Sequence, residues 1–230
     1  MVSVMTIGEL TSRMSIRTCR VRRMGAAPPQ GEALHALGQD GARRAKRWLE
    51  STSRVDACWV DPDKGAREKL TVAWPQGGSF SFDLGGRLRY SPFDGQLFFA
   101  EVKNHTTASN LNTEYDAFLA KCYVTYLERP TYADHFLWLS WTPHGVSRWA
   151  SLTSAENVQQ AVITHAHRIF PADSDPDTAV DLAVCQAVAE RLWILILSRK
   201  QEDLVPTVEH LGIIHAHEMV KAHTAGGGQP

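Results

Sequence analysis

Phe98-Phe99-Ala100-Glu101-Val102-Lys103-Asn104 is an apolar segment in which a carboxylate and an ammonium group stand two positions apart. Its apolar residues are typical of a buried β-strand, where successive side chains point to opposite faces of the sheet. Glu101 and Lys103 are therefore expected side by side on one face, while the intervening apolar side chains point into a core. Because burying charge is costly unless the charge is paired or bound to a metal, this pair indicates a functional site.

A second carboxylate precedes this segment in the stretch Phe82-Asp83-Leu84-Gly85-Gly86. Asp83 follows an aromatic residue and stands just before two glycines, a pattern that places it at the end of a short strand. We therefore expect two acidic side chains, Asp83 and Glu101, to come from adjoining segments of one sheet.

Other carboxylates nearby are explained by turns. The stretch 90–96 contains a proline followed by Asp94-Gly95, which is typical of a hairpin turn and accounts for Asp94 without a catalytic role. Asp94 is nevertheless the rival to Asp83 for the place of first carboxylate. Asp61 and Asp63 flank a proline, and we assign both to a loop between strands.

The order of Asp83 followed by Glu101-x-Lys103 resembles the PD-(D/E)XK nuclease superfamily, which has the restriction-endonuclease-like fold. The resemblance covers roughly residues 31–143, and Phe82 stands where the name of the family has a proline. It implies an α/β fold with an αβββαβ core, in which helices flank a mixed central sheet. The alternative interpretation of Glu101 and Lys103 is an edge strand that carries an ion pair across its face.

The resemblance implies a metal-dependent hydrolysis of phosphodiester bonds with Asp83, Glu101 and Lys103 as catalytic residues. Asp83 and Glu101 would hold Mg²⁺, which prefers one or two carboxylates together with water and phosphate oxygens, and Mn²⁺ could take its place. By similarity to the family, the backbone carbonyl of Val102 is a further metal ligand. Lys103 would position the attacking hydroxide or stabilise the negative charge of the transition state.

Apolar residues at helical spacing predict a helix over residues 31–51. Family members often carry an acidic or glutamine residue of this helix near the metal. The resemblance therefore makes Glu32 and Gln39 additional catalytic candidates, with Asp40 as a further one. Glu32 is also explained as a first-turn residue that the helix dipole favours.

Four arginines are candidates for contacts with a nucleic-acid backbone, although solvated side chains are the ordinary alternative. Arg43 and Arg47 lie on the outer side of the predicted helix, and Arg87 and Arg89 share one face of a predicted strand. The net charge of −1 provides no overall basic field. This balance favours a subunit that a partner delivers to its substrate, or a homodimer with a local basic cleft, and we favour DNA over RNA as that substrate.

The remaining segments supply the elements that such a core requires: strand, strand with E-x-K, helix and strand, in that order. Gly38 and Gly41 lie on the apolar face of the predicted first helix, which indicates a close approach of that helix to the sheet. The predicted elements are strands at 55–60 and 70–74, a hairpin of 80–84 and 87–90 across Gly85-Gly86, a helix from about 112 to 129 and a strand at 135–141.

The chain divides into four predicted regions: a flexible basic arm at 1–25, the nuclease core at 26–145, a mostly helical extension at 146–222 and a disordered tail at 223–230. The extension includes a long helix over 178–197, with a strand as the alternative for its apolar end, and is expected to pack on the core or on a partner. The four cysteines are far apart, which predicts reduced thiols in a cytoplasmic protein. No apolar stretch approaches the length of a membrane helix, so no membrane is expected as a partner.

These observations predict a Mg²⁺-dependent endonuclease that acts on DNA. Family analogy favours prokaryotic, antiviral defence and a subunit of a larger system. The alternatives are a repair or recombination nuclease and a catalytically silent nucleic-acid-binding or scaffold subunit that retains the fold. A metal hydrolase built on the histidines near the C-terminus lacks a motif such as H-E-x-x-H. These histidines are His210, His215, His217 and His223.

Overall fold

A computed structural model describes residues 30–53, 55–61, 63, 65–105 and 110–226, with the backbone alone for 30–35, 58 and 222–226. The strands are β1 (Val55–Val60), β2 (Thr71–Ala73), β3 (Ser79–Ser81), β4 (Leu84–Leu88), β5 (Leu97–Lys103), β6 (His135–Ser140) and β7 (Leu192–Ile196). The helices are α1 (Gln30–Thr52), α2 (Ala66–Leu70), α3 (Leu111–Glu128), α4 (Ala155–Thr164), α5 (Ala166–Ile169), α6 (Pro176–Ala179), α7 (Leu182–Ala189), α8 (Arg199–Asp203) and α9 (Val208–Gly226), with a 3-10 helix at Val146–Ser151.

The central sheet has the strand order β1-β4-β5-β6-β7. Its first three strands are antiparallel, and β5, β6 and β7 are parallel to one another. Helix α3 makes the crossover from β5 to β6, as a parallel pair requires. The start of β4 and the ends of β5 and β6 therefore meet at one edge of the sheet. This mixed sheet between helices confirms the predicted α/β class.

Each face of the sheet carries its own apolar core. Phe98, Ala100 and Val102 of β5 point to the face that α1 covers, as their alternation predicts, and pack with residues such as Ala45 of that helix. Phe99 points the other way, into a cluster with Phe118 of α3. The two faces of β5 are thus buried by helices that flank it in the chain.

One of the two predicted glycine contacts between α1 and the sheet is present. A Cβ atom at Gly41 would lie 2.8 Å from Cβ of Asn104, just beyond β5, so only glycine allows this approach. The prediction was wrong for Gly38, which has no atom within 4 Å of the corresponding position.

The hairpin predicted across Gly85-Gly86 was wrong. Strand β4 runs straight through both glycines and pairs with β1 and β5, whereas β3 pairs with β2 in a separate ribbon. A Cβ atom at Gly86 would collide with the backbone oxygen of Asp56, and one at Gly85 would lie 2.8 Å from Leu70 Cδ2. The glycines therefore mark close packing rather than a bend.

The region after Gly145 contributes to the central sheet as well as covering it. The helix predicted over 178–197 is divided into α6 and α7, and its apolar end is the strand β7, the predicted alternative, which extends the sheet beside β6. Helices α4 and α7 pack on the core through side chains such as Val158 and Val188. The predicted tail begins inside α9, and the basic arm lies outside the described residues. Within the described ranges, no helix combines the length and apolar character needed to cross a membrane.

Candidate active site

Asp83 lies immediately before β4 and directs its carboxylate at β5. Its Oδ2 accepts the backbone N–H of Val102 at 2.7 Å, and its own N–H donates to the Ala100 carbonyl at 3.0 Å. Burial and the negative charge of Glu101 raise the pKa of Asp83 to about 7, against the opposing charge of Lys103. The structure therefore places the two predicted carboxylates close enough for the charge of Glu101 to affect the ionisation of Asp83.

Glu101 is a buried carboxylate between two ammonium groups, with 6% of its surface exposed. Lys103 Nζ lies 2.9 Å from its Oε1, and Lys121 Nζ lies 2.9 Å from Oε2 and 3.1 Å from Oε1. Burial opposes its ionisation, but the charges of Lys121 and Lys103 outweigh burial and lower the pKa of Glu101. Glu101 is thus held as an anion inside the protein.

Lys121 is one of the site residues that the sequence analysis missed, together with Glu114 and His105. It belongs to α3, where it interrupts a run of buried residues, and it also donates to the Ser81 carbonyl at 3.3 Å. The sequence contains one indication of its position. Glu114 lies seven residues before Lys121, about two helical turns away, so the two side chains project from the same face of α3.

Lys103 lies between two carboxylates. Besides Glu101, it contacts Glu114 Oε2 of α3 at 3.3 Å, and the same oxygen lies 3.0 Å from Nε2 of His105. Burial disfavours the ammonium form, but the charges of Glu101 and Asp83 outweigh burial and raise the pKa of Lys103. The five side chains form a continuous row of ionisable groups in the order Lys121, Glu101, Lys103, Glu114 and His105.

Helix α1 covers the face of β5 opposite to Glu101 and Lys103, and it contacts the residue after β5, Asn104. The Asn104 amide donates to the Leu37 carbonyl at 3.3 Å and to Asp40 Oδ2 at 3.4 Å, and its Oδ1 accepts from Arg44 at 2.9 Å. Gln39 is half-buried in the same turn of α1. The side chain of Glu32 lies outside the described residues.

The four arginine candidates divide into two pairs. Arg43 and Arg47 are exposed on α1. Arg87 and Arg89 lie at the end of β4 away from Asp83 and face Asp56 at 4.0 and 2.8 Å. The structure therefore does not bring Arg87 and Arg89 to the catalytic candidates.

The rival carboxylates have different surroundings. Asp94 Oδ1 accepts the Tyr90 N–H at 2.8 Å and closes the turn, as its sequence predicts.

Asp61 follows β1 directly and donates its N–H to the Asp83 carbonyl at 3.0 Å. Its Oδ1 is buried and has no hydrogen-bond partner in the described part of the chain. Asp61 is thus a neighbour of Asp83 rather than an ordinary loop residue.

The donor set fits a hard divalent cation. Asp83 and Glu101 lie close enough for the negative charge of Glu101 to raise the pKa of Asp83, and the Val102 carbonyl points to the same side of β5 as the N–H that binds Asp83. No group of three or more His, Cys, Asp or Glu side chains converges among the described residues. A cation here would therefore take its remaining ligands from water and phosphate, as Mg²⁺ does.

Together these features define a buried site at the edge of a mixed sheet, in which positive and negative side chains alternate.

Comparison of the chain with family models and with curated proteins found no match. Among solved structures, the chain is similar to a Moraxella osloensis Cap4 SAVED/CARF-domain containing receptor, with 10% identity and a TM-score of 0.37. The similarity covers 74% of this chain and 35% of the receptor, so this chain spans about a third of the receptor's length.

Proposed function

We propose that this protein is a metal-dependent nuclease of the PD-(D/E)XK class that hydrolyses phosphodiester bonds in DNA. The observation that carries the proposal is the meeting of Asp83, Glu101 and Lys103 in one site at the edge of the sheet. The chain order supports it, since α1, β1, β4, β5, α3 and β6 follow the αβββαβ order that the resemblance implies, with α2, β2 and β3 inserted between β1 and β4.

Asp83, Glu101 and the Val102 carbonyl would hold the cation, with Mn²⁺ able to replace Mg²⁺. When bound, the ion supplies a water of lowered pKa and neutralises charge on the scissile phosphate. Lys103 contributes a compact positive charge beside the reacting phosphate and stabilises its transition state. Lys121 keeps Glu101 ionised within the buried site.

The biological setting is proposed from the resemblance and from the charge of the chain. A net charge of −1 supplies little general attraction to DNA, which favours a partner subunit or a homodimer that builds the binding surface. The role that we propose is cleavage of DNA in prokaryotic defence by a cytoplasmic protein.

Nicking of supercoiled plasmid in Mg²⁺ or Mn²⁺ tests the activity. We expect Glu101→Gln and Lys103→Ala to slow nicking by at least about 100-fold, because each removes a group that acts on the transition state. The exposed residues Glu128 and Lys200 provide matched controls, and Glu128→Gln and Lys200→Ala should nick as the wild type does. Circular dichroism at the assay temperature verifies that each variant is folded.

Two results would contradict the proposal. One is nicking at the wild-type rate by both site variants. The other is a wild-type protein that binds DNA but leaves it uncut in either metal, the behaviour of a silent binding subunit.

A further inference from the structure

His105 and Glu114 form a pair at the open end of the site. The imidazole Nε2 lies 3.0 Å from Glu114 Oε2, and that same oxygen lies 3.3 Å from the Lys103 ammonium. The side chain of His105 is 40% exposed, compared with 19% for Lys103 and 8% for Glu101. His105 is thus the member of the row that is most accessible to a substrate.

The pairing with Glu114 determines which imidazole nitrogen can exchange protons. An ionised carboxylate only accepts hydrogen bonds, so Nε2 carries a hydrogen and Nδ1 is the exchanging nitrogen. The backbone of His105 is also held, because its carbonyl accepts the Thr142 hydroxyl at 2.7 Å. A carboxylate that fixes the tautomer and orientation of an imidazole is the arrangement of an acid–base catalyst.

We propose that His105, oriented by Glu114, is a catalytic residue that protonates the leaving oxygen during phosphodiester cleavage. This role rests on the proposed nuclease activity and deepens it. Water attacks phosphorus and gives one proton to solvent, the bond from phosphorus to the bridging 3′ oxygen breaks, and its electron pair goes to that oxygen. The proton on Nδ1 passes to the oxygen, and the neutral imidazole takes up a new proton from solvent.

His105 lies two residues beyond the end of β5, and it continues the alternation of Glu101 and Lys103. Glu101, Lys103 and His105 stand at every second position, and all three contact the same face of α3 through Lys121 or Glu114. Two residues of extended chain span about 6–7 Å, which allows Lys103 and His105 to contact different oxygens of one phosphate group. Lys103 contacts Glu101, which we propose as a metal ligand. In this proposal Lys103 therefore acts on the side of the metal, and His105 acts on the departing oxygen.

The charged groups that face His105 are the carboxylate of Glu114 from α3 and, across that carboxylate, the ammonium of Lys103 from β5. Glu114 therefore acts as a positioning residue for both Lys103 and His105.

A sulfur substitution tests the role directly. An oligonucleotide carries either the natural linkage or one linkage in which sulfur replaces the bridging 3′ oxygen, and cleavage at that linkage is measured in Mn²⁺. A thiolate leaves without needing a proton, so the sulfur-bridged linkage bypasses a general acid. We expect His105→Ala to slow cleavage of the natural linkage by about 100-fold or more, and to cleave the sulfur-bridged linkage at nearly the wild-type rate.

His105→Asn is the second variant, because asparagine keeps a polar contact with Glu114 but exchanges no proton. It should show the same contrast between linkages. His167→Ala, at an exposed histidine on α5, is the matched control and should cleave both linkages as the wild type does.

Three results would overturn the role. His105→Asn could cleave the natural linkage at the wild-type rate, which would make the contact structural. Both variants could lose activity equally on the two linkages, which would remove His105 from protonation of the leaving group. A wild-type protein that cleaves neither linkage would contradict the nuclease proposal itself, and the role of His105 with it.

Discussion

Lys121 donates hydrogen bonds to both carboxylate oxygens of Glu101, at 2.9 and 3.1 Å, from a helix that begins eight residues after β5 ends. Glu101 is almost fully buried, so an unpaired charge there would be strongly destabilising. The E-x-K pattern provides one ammonium group for this carboxylate, and α3 provides the second. A metal ion that binds Glu101 must therefore compete with two lysines.

Replacement of Lys121 by methionine should destabilise the metal-free protein and increase the stabilisation that a metal provides. Methionine keeps most of the apolar stem but leaves Glu101 with Lys103 alone, and we expect a loss of about 2 kcal/mol in the free energy of unfolding. Urea unfolding in EDTA and in Mg²⁺ measures both effects.

Lys221→Met is the control for this variant, because Lys221 is an exposed partner of Glu218 at 3.3 Å and such pairs contribute little. Equal unfolding free energies for Lys121→Met and wild type in EDTA would show that Lys121 does not stabilise Glu101.

The stability that Asp83 contributes should depend on pH. The pKa of Asp83 is about 7 in the folded protein, against an ordinary value of 3.8, so the folded state binds the proton more tightly. The contribution is therefore complete below about pH 4 and is lost as the pH rises through 7. Asparagine does not ionise, so Asp83→Asn avoids this loss. Its free energy of unfolding at pH 8 should exceed that of the wild type by up to about 4 kcal/mol.

Urea unfolding in EDTA at pH 4, 6 and 8 checks the dependence on pH. The advantage of Asp83→Asn should shrink as the pH falls, and added Mg²⁺ should reduce it at pH 8 by stabilising the wild type. An advantage that stays constant from pH 4 to pH 8 would assign the effect to packing instead of ionisation.

Two glycines of α1 provide a matched test of the contact between helix and sheet. Gly41→Ala places a Cβ atom 2.8 Å from Cβ of Asn104, and we expect a loss of about 1–3 kcal/mol. Gly38→Ala meets no atom within 4 Å and should gain about 0.5–1 kcal/mol from helix propensity. Thermal unfolding of both variants measures the difference, and effects of equal sign would contradict this packing.

Arg44 joins α1 to three segments at the same edge of the sheet. Its guanidinium binds Glu202 of α8 through two nitrogens, lies 4.4 Å from the Trp141 ring and donates to Asn104. The bond from Arg44 is the largest cause that lowers the pKa of Glu202. We expect Arg44→Met to lose about 2 kcal/mol of unfolding free energy and to raise the pKa of Glu202.

Chemical denaturation and NMR titration of Glu202 measure the two effects of Arg44→Met. Arg43→Met is the control, because Arg43 is exposed on the same helix and its replacement should change stability by less than about 0.5 kcal/mol. A variant of Arg44 as stable as that control would show that the contacts at this edge contribute little.

Several features of the fold were predicted because the signals are local. The apolar alternation of β5, the helical spacing of α1 and the buried run of β6 each depend on residues close in the chain. The hairpin at Gly85-Gly86 could not be predicted correctly, since the need for glycine comes from β1, whose Asp56 approaches Gly86. The sequence leaves β7 open between the end of a helix and a strand, because a short apolar run has no distinctive period.

Local pattern was enough to predict that Glu101 and Lys103 share a face of a buried strand and that Asp83 lies at a strand end, because strand alternation and turn chemistry are local properties. The contacts of Lys121 and Glu114 with these residues, and the backbone contact of Asp61 with Asp83, follow from long-range packing. These contacting residues belong to other elements, and the packing of those elements determines which groups lie close to a buried charge. The register of β4 on β5 and the crossover through α3 set those distances, and no local pattern encodes them.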